Sequence, residues 1–209
     1  MIYKVNTVLK PANLAGISKE QIAQHWKLYE GYVEQVNALR EELDTLRGAG
    51  KTNTPDYADR RRRLGFEYNG MVLHEYYFGN LRSGVPEPGN NTILKKALNE
   101  AFGTFESFKQ DFVSAGASRS VGWAILYFDA ATGAMNNHFI QLHEDGNVAG
   151  FVPILVMDVW EHAYMVDFGA SGRGEYIKAF FGNIDWPVVE KRLADAREHK
   201  LPERTRHAA

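Results

Sequence analysis

Three of the seven histidines in this chain, His25, His74 and His162, sit in segments otherwise built of apolar residues. A buried imidazole needs a hydrogen-bond partner or a metal ion, because an unsatisfied polar group in a core costs roughly 1 to 3 kcal/mol. Taken singly, each suits a hydrogen-bonded core histidine better than a ligand. Asp158 directly follows the apolar run Ile154-Leu155-Val156-Met157, and His162 stands four residues later. A helical turn would put both side chains on one face, within reach of one ion or of each other. The chain has no cysteine, so disulfides, thiolate-bound zinc and iron–sulfur clusters are excluded. Any metal site must be made of imidazole and carboxylate.

The elements that would carry these residues can be read from the pattern. Ser18-Lys19-Glu20-Gln21 has the form of a capping box, and Ile22, Trp26, Tyr29, Val33, Val36 and Leu39 recur at helical spacing. Gly48 to Asp56 should turn the chain into a second helix running from about Tyr57 through Leu64, Met71, His74 and Phe78, stopped at Gly79-Asn80. The result is an antiparallel hairpin with His25 on one arm and His74 on the other. Ser83 to Asn90, with two prolines and two glycines, is the expected boundary between an N-terminal helical domain (1–83) and a C-terminal domain (91–209). Beyond it come two helices marked by Leu94, Leu98 and Phe102 and by Phe105, Phe108 and Phe112, the second capped by Thr104. Strands follow at Trp123 to Phe128, Asn137 to Leu142 and Val152 to Met157, then a loop from Gly169 to Gly174 and a last helix opened by Trp186-Pro187. The fold class is α+β.

Composition narrows the function classes. With 44% hydrophobic and 24% charged residues in 209, the chain can bury a full core. A net charge of -2 offers no general basic field for nucleic acid. Arg60 to Arg63 is the strongest charge run, but successive helix positions point in all directions, which suits a solvated face. No apolar run reaches membrane-spanning length and no secretory leader opens the chain, so neither a membrane nor export is expected and the cytoplasm is the default location.

The string Asp158-Val159-Trp160-Glu161-His162-Ala163-Tyr164 closely resembles the D-x-W-E-H-A-Y signature of the iron/manganese superoxide dismutases. Phe66-Glu67-Tyr68-Asn69-Gly70, Phe105-Glu106-Ser107-Phe108-Lys109, Gly122-Trp123-Ala124 and Asn183-Ile184-Asp185-Trp186 match as well, so the resemblance covers nearly the whole chain. It implies a helical hairpin packed on an α/β domain with a three-stranded antiparallel sheet. It also implies one iron or manganese ion per subunit, held by His25, His74, Asp158 and His162, with superoxide as substrate. An ion cycling between +2 and +3 suits dismutation, whereas zinc has no such couple.

Further roles come from the same resemblance. The family sets a Gln or a His against the metal-bound solvent; the Gln-bearing position is Gly70 here, and His143, fifteen residues before Asp158, matches the His-bearing one. Tyr32, followed by Val33, matches the gateway tyrosine, although it stands seven residues beyond His25, one fewer than in the family, and Tyr29 competes for the role. The second tyrosine of the signature is Met165, which implies loss of the outer gateway pair. Glu161 matches the residue that reaches the partner's metal-bound histidine, implying a homodimer or a dimer of dimers. Phe78, Trp123 and Trp160 would wall the site, and Arg173 lies near the matching funnel. Two other readings stand beside this one. A non-haem iron oxygenase would need only two His and one carboxylate, and a non-catalytic relative would be expected to have lost ligands.

Overall fold

The computed structural model describes residues 2–198. Helix α1 (Lys19–Gly48) starts where its cap sequence directs, with Ser18 Oγ accepting from Gln21 N at 3.0 Å. The other half of the capping box does not form. The Gln21 side chain instead donates to the carbonyl of His162 at 2.6 Å and accepts from Val166 N at 3.0 Å, so a residue expected to close its own helix end ties α1 to a distant loop. Helix α2 (Pro55–Gly79) begins at Pro55, whose missing N–H costs nothing in the first turn, behind the Thr54 cap. The two arms lie against each other along their apolar stripes, Val33 and Val36 meeting the same core as Met71, Leu73 and Phe78.

Beyond the segment 83–90 come α3 (Ile93–Phe102), α4 (Phe105–Gly116), β1 (Gly122–Asp129), β2 (Ala134–Gln141), β3 (Phe151–Asp158), α5 (Met165–Phe168), α6 (Arg173–Phe181) and α7 (Trp186–Glu198). The sheet is antiparallel in the order β2-β1-β3. Every residue of the central strand β1 is buried. β2 starts three residues before the expected Asn137, because pairing with β1 extends past the alternation visible in sequence to the Asp129–Gly133 turn. The register between β1 and β3 shifts at Leu126/Tyr127, opposite Pro153, which has no N–H for the ladder. The same register sets Trp123 directly across from Asp158.

One apolar cluster runs through both halves of the chain. Buried Asn80 joins them: it donates to Tyr77 O at 2.8 Å, while its carbonyl accepts from Val156 N at 3.1 Å and from Arg192 at 3.2 Å. This cross-link sets the helix that carries His74 against the strand that ends in Asp158. The helical turn expected between Asp158 and His162 is not an α-helical one. Asp158 closes β3, Trp160 N–H folds back onto its carboxylate at 2.8 Å, and His162 follows in a single 3-10 turn, Glu161–Ala163. Among the described residues no helix is long and apolar enough to cross a membrane.

Candidate metal centre

His25 from α1, His74 from α2, Asp158 from the end of β3 and His162 from the following turn converge. One ligand atom from each lies within 4.8 Å of every other. Asp158 Oδ2 is the common point, 3.0 Å from His25 Nε2, 3.1 Å from His162 Nε2 and 3.7 Å from His74 Nε2. His25, His74 and Asp158 are fully buried and His162 partly so.

The chain around the cluster fixes how these groups point. The Gly70 carbonyl takes the Nδ1–H of His74 at 2.6 Å, which leaves the Nε2 lone pair aimed at the centre, buried and with no hydrogen-bond partner. Asp158 is gripped at two other atoms: its Oδ1 accepts from Trp160 N, and its main-chain carbonyl accepts from the Tyr176 hydroxyl at 2.6 Å. Only Oδ2 is turned inward. Burial alone would push the Asp158 carboxyl up, but the imidazoles of His162 and His25 outweigh it and hold the group ionised, well below the usual carboxylate range. Burial pushes His25 down, only partly offset by Asp158; burial and the neighbouring His25 push His74 down further, so both are neutral bases near pH 7. An ionised carboxylate beside the neutral imidazoles of His25 and His74, with an unpartnered nitrogen of His74 facing inward, is the donor set that a divalent or trivalent transition metal takes.

A second group of residues adjoins the cluster. Tyr32 Oη lies 2.7 Å from His143 Nε2, and His143 Nδ1 accepts from Trp123 Nε1 at 3.0 Å. An indole nitrogen can only donate, so His143 carries its proton on Nε2 and donates to Tyr32, which leaves the phenolic hydrogen of Tyr32 unused by this pair. His143 is not a surface residue at a hairpin end but is fully buried. Leu142 just before it has φ 55, a left-handed conformation that a leucine adopts only at a cost, and the chain closes around His143 through mutual backbone bonds between Gln141 and Asp145. Burial pushes His143 down to about 4 and raises the Tyr32 hydroxyl above its ordinary value, with Asp158 adding to the rise.

Of the two candidate tyrosines, Tyr29 points elsewhere: its hydroxyl donates to Glu75 at 2.8 Å and accepts from Asn6 N at 2.9 Å. Phe78 and Trp123 are buried beside His74, and the half-buried Trp160 ring stacks on His143 and His162 at 5.0 and 5.6 Å. Glu161 is exposed next to His162. Arg173 is tethered, donating to Ser118 O at 2.5 Å with its guanidinium over the Tyr164 ring.

Several contacts around the cluster were not read from the sequence, although Tyr176-Ile177-Lys178 is one of the segments that resemble the family. Tyr176 and Tyr77 form a buried pair under Asp158 and His25, their hydroxyls 3.2 Å apart. Their meeting with each other and with Asp158 is made by the tertiary fold, which brings α6 under β3. Arg63 is exposed, as read for the run, and it also pairs with buried Glu67 at 2.6 Å and lies over the Phe66 ring, which touches His143. The one legible sign was a glutamate four residues after an arginine on a helix. Arg61 and Arg62 are exposed as well, Arg62 paired with Asp59, whereas Arg60 is half-buried and paired with Glu42 and Asp56.

Comparison with known proteins points the same way as this geometry. Residues 90–192 match the family of iron/manganese superoxide dismutases, C-terminal domain. The chain is 39% identical to an iron superoxide dismutase of Aquifex pyrophilus over 90% of its own length and 89% of that protein's. It is 33% identical to a manganese superoxide dismutase of Haloferax volcanii, covering 87% and 89% of the two chains, and 33% identical to a manganese/iron superoxide dismutase of Aeropyrum pernix, covering 85% and 83%. The region matched by the family model holds the three-stranded sheet with Asp158 and His162, and by similarity along most of its length this chain belongs to the iron/manganese superoxide dismutase family.

Proposed function

We propose that this protein is a superoxide dismutase whose single iron or manganese ion is held by His25, His74, Asp158 and His162. The observation that carries the reading is the convergence of three imidazoles and one carboxylate, from four separate segments, on one buried point. Bound there, the ion supplies a one-electron couple between +2 and +3, by which one superoxide gives up an electron to become oxygen and a second takes an electron and two protons to become hydrogen peroxide. The chain's share is to hold, shield and protonate. Neutral His25 and His74 add no charge, so the carboxylate of Asp158 leaves a bound cation net positive and attractive to a small anion. Phe78, Trp123 and Trp160 keep the pocket dry, which strengthens every charge interaction within it. Tyr32 stays protonated at neutral pH, and His143, fixed in one tautomer by Trp123, donates to its oxygen and frees its hydrogen for delivery into the pocket. Iron, manganese and mixed-metal relatives are all similar to this chain, which supports activity with either metal.

We also assign exposed Glu161 to a contact with the His162 of a second copy, which makes the working form a homodimer or a dimer of dimers. The helical hairpin 1–83 and the segment 91–209 are taken as two domains that share the site. The test is to strip the protein of metal, reload it separately with iron and manganese, and assay both. Activity with at least one metal, at one ion per subunit, is expected. Full loading with turnover by neither would favour a non-catalytic relative, and oxygen-dependent turnover of an organic substrate would favour the oxygenase reading.

A further inference from the structure

Gly70 lies inside α2, one turn before His74, with no left-handed backbone to call for glycine. A glycine within a helix is disfavoured against alanine, so a reason for it must lie in the packing. A Cβ at Gly70 would fall 2.6 Å from Cδ1, 2.7 Å from Cε1 and 3.0 Å from Cγ of Tyr32, against about 3.5 to 4.0 Å for an ordinary carbon contact. Elsewhere in the hairpin Gly31 would meet nothing within 4 Å and Gly65 only the tip of Glu144 at 3.9 Å, while Gly79, the last residue of α2, would meet the end of the Arg192 side chain at 3.0 Å and Leu9 Cδ2 at 3.3 Å, looser than the contact at Gly70. The Tyr32 ring cannot simply lean away. Its hydroxyl is held by His143 at 2.7 Å, and its ring sits 5.1 Å from the His74 ring and 6.4 Å from Phe66.

The spacing on α1 explains the close approach. Helix α1 is continuous from Lys19 to Gly48, and seven residues make almost two full turns, so Tyr32 stands above His25 on the same face and is driven flat onto the backbone of α2. We infer that Gly70 is a positioning residue of the site: its carbonyl orients the imidazole of His74, and its missing side chain is the seat of the Tyr32 ring against His143. Any side chain at position 70 and the Tyr32–His143 hydrogen bond therefore exclude each other. The consequence for turnover rests on the role proposed above for Tyr32; the seating itself does not.

A double-mutant cycle on the metal-loaded enzyme tests the seat. In a Tyr32→Ala background, Gly70→Ala should raise Tm by about 2 °C, the usual gain from removing a helix glycine. In the natural background the same change should lower Tm, keep the metal because the carbonyl at 70 remains, and reduce dismutase activity to the level of Tyr32→Phe. Should Gly70→Ala alone fail to fold, recovery of folded holoenzyme on adding Tyr32→Ala is the same result, and failure of both overturns the inference. An equal rise in Tm in both backgrounds also overturns it. Full activity in Tyr32→Phe would remove the proposed role of Tyr32, while the Tm cycle still decides the seat.

Discussion

The two flanks of the Asp158 cluster are both lined by tyrosine, yet they are built differently. Beneath Asp158, Tyr77 and Tyr176 are fully buried, and their hydrogens can be used up in a chain from Tyr77 to the Tyr176 oxygen and from Tyr176 to the Asp158 carbonyl. On the other flank, His143 spends its proton on the oxygen of Tyr32, and the partly exposed Tyr32 keeps its hydrogen. One flank is a closed network whose work is to hold Asp158 still. The other ends in an uncommitted donor, the arrangement needed where protons enter a reaction. In the proposed dismutation this difference would direct proton delivery through Tyr32, whose hydrogen is not already bound.

The comparison can be broken most severely at its pivot. Asp158→Ala should lower affinity for iron and manganese more than about 100-fold, beyond the usual effect of losing an outer hydrogen-bond partner, and abolish activity; metal analysis after dialysis measures it. A mutant that retained stoichiometric metal would mean that Asp158 is not the shared anchor of the two flanks.

The open flank has a pH signature in the metal-free protein. His143 is held neutral down to about 4 when folded, against 6.5 for a free imidazole. Between these values the unfolded chain binds the proton and the native one does not, so stability rises with pH through that window. The contribution is complete above about pH 6.5 and is lost as pH falls toward 4, amounting to at most about 3 kcal/mol. Urea unfolding at several pH values should show this slope, and His143→Gln should reduce it, leaving the part that buried His25 and His74 contribute in the same direction. An unchanged slope in the mutant would place the titration elsewhere.

The smallest effect belongs to the closed flank. Tyr176→Phe removes the hydrogen bond to the Asp158 carbonyl and should destabilise the protein by about 1 to 2 kcal/mol while changing turnover less than Tyr32→Phe does. Thermal melts beside activity assays separate the two. A larger loss of activity in Tyr176→Phe, with metal content intact, would reverse the assignment of the flanks.

How much of this was legible in the sequence depended on whether a residue's partner lay nearby in the chain. The caps of α1 and α4 are local, and Ser18 and Thr104 act as local rules say. The gathering of His25, His74, Asp158 and His162 was legible through a motif and a count, since no local rule links positions 133 residues apart. What stayed hidden was chosen by tertiary contact. Gln21 left its cap for His162, and Tyr176 reached Asp158 from another helix. The inward aim of His143 depends on the left-handed turn at Leu142, a conformation that a leucine does not advertise.

The most direct measurement is a crystal of the reloaded enzyme examined by anomalous scattering at the iron or manganese edge. One peak per subunit is expected, in coordinating contact with Nε2 of His25, His74 and His162 and with Oδ2 of Asp158. A peak that misses any of those four atoms, or that lies outside the pocket they form, would contradict it.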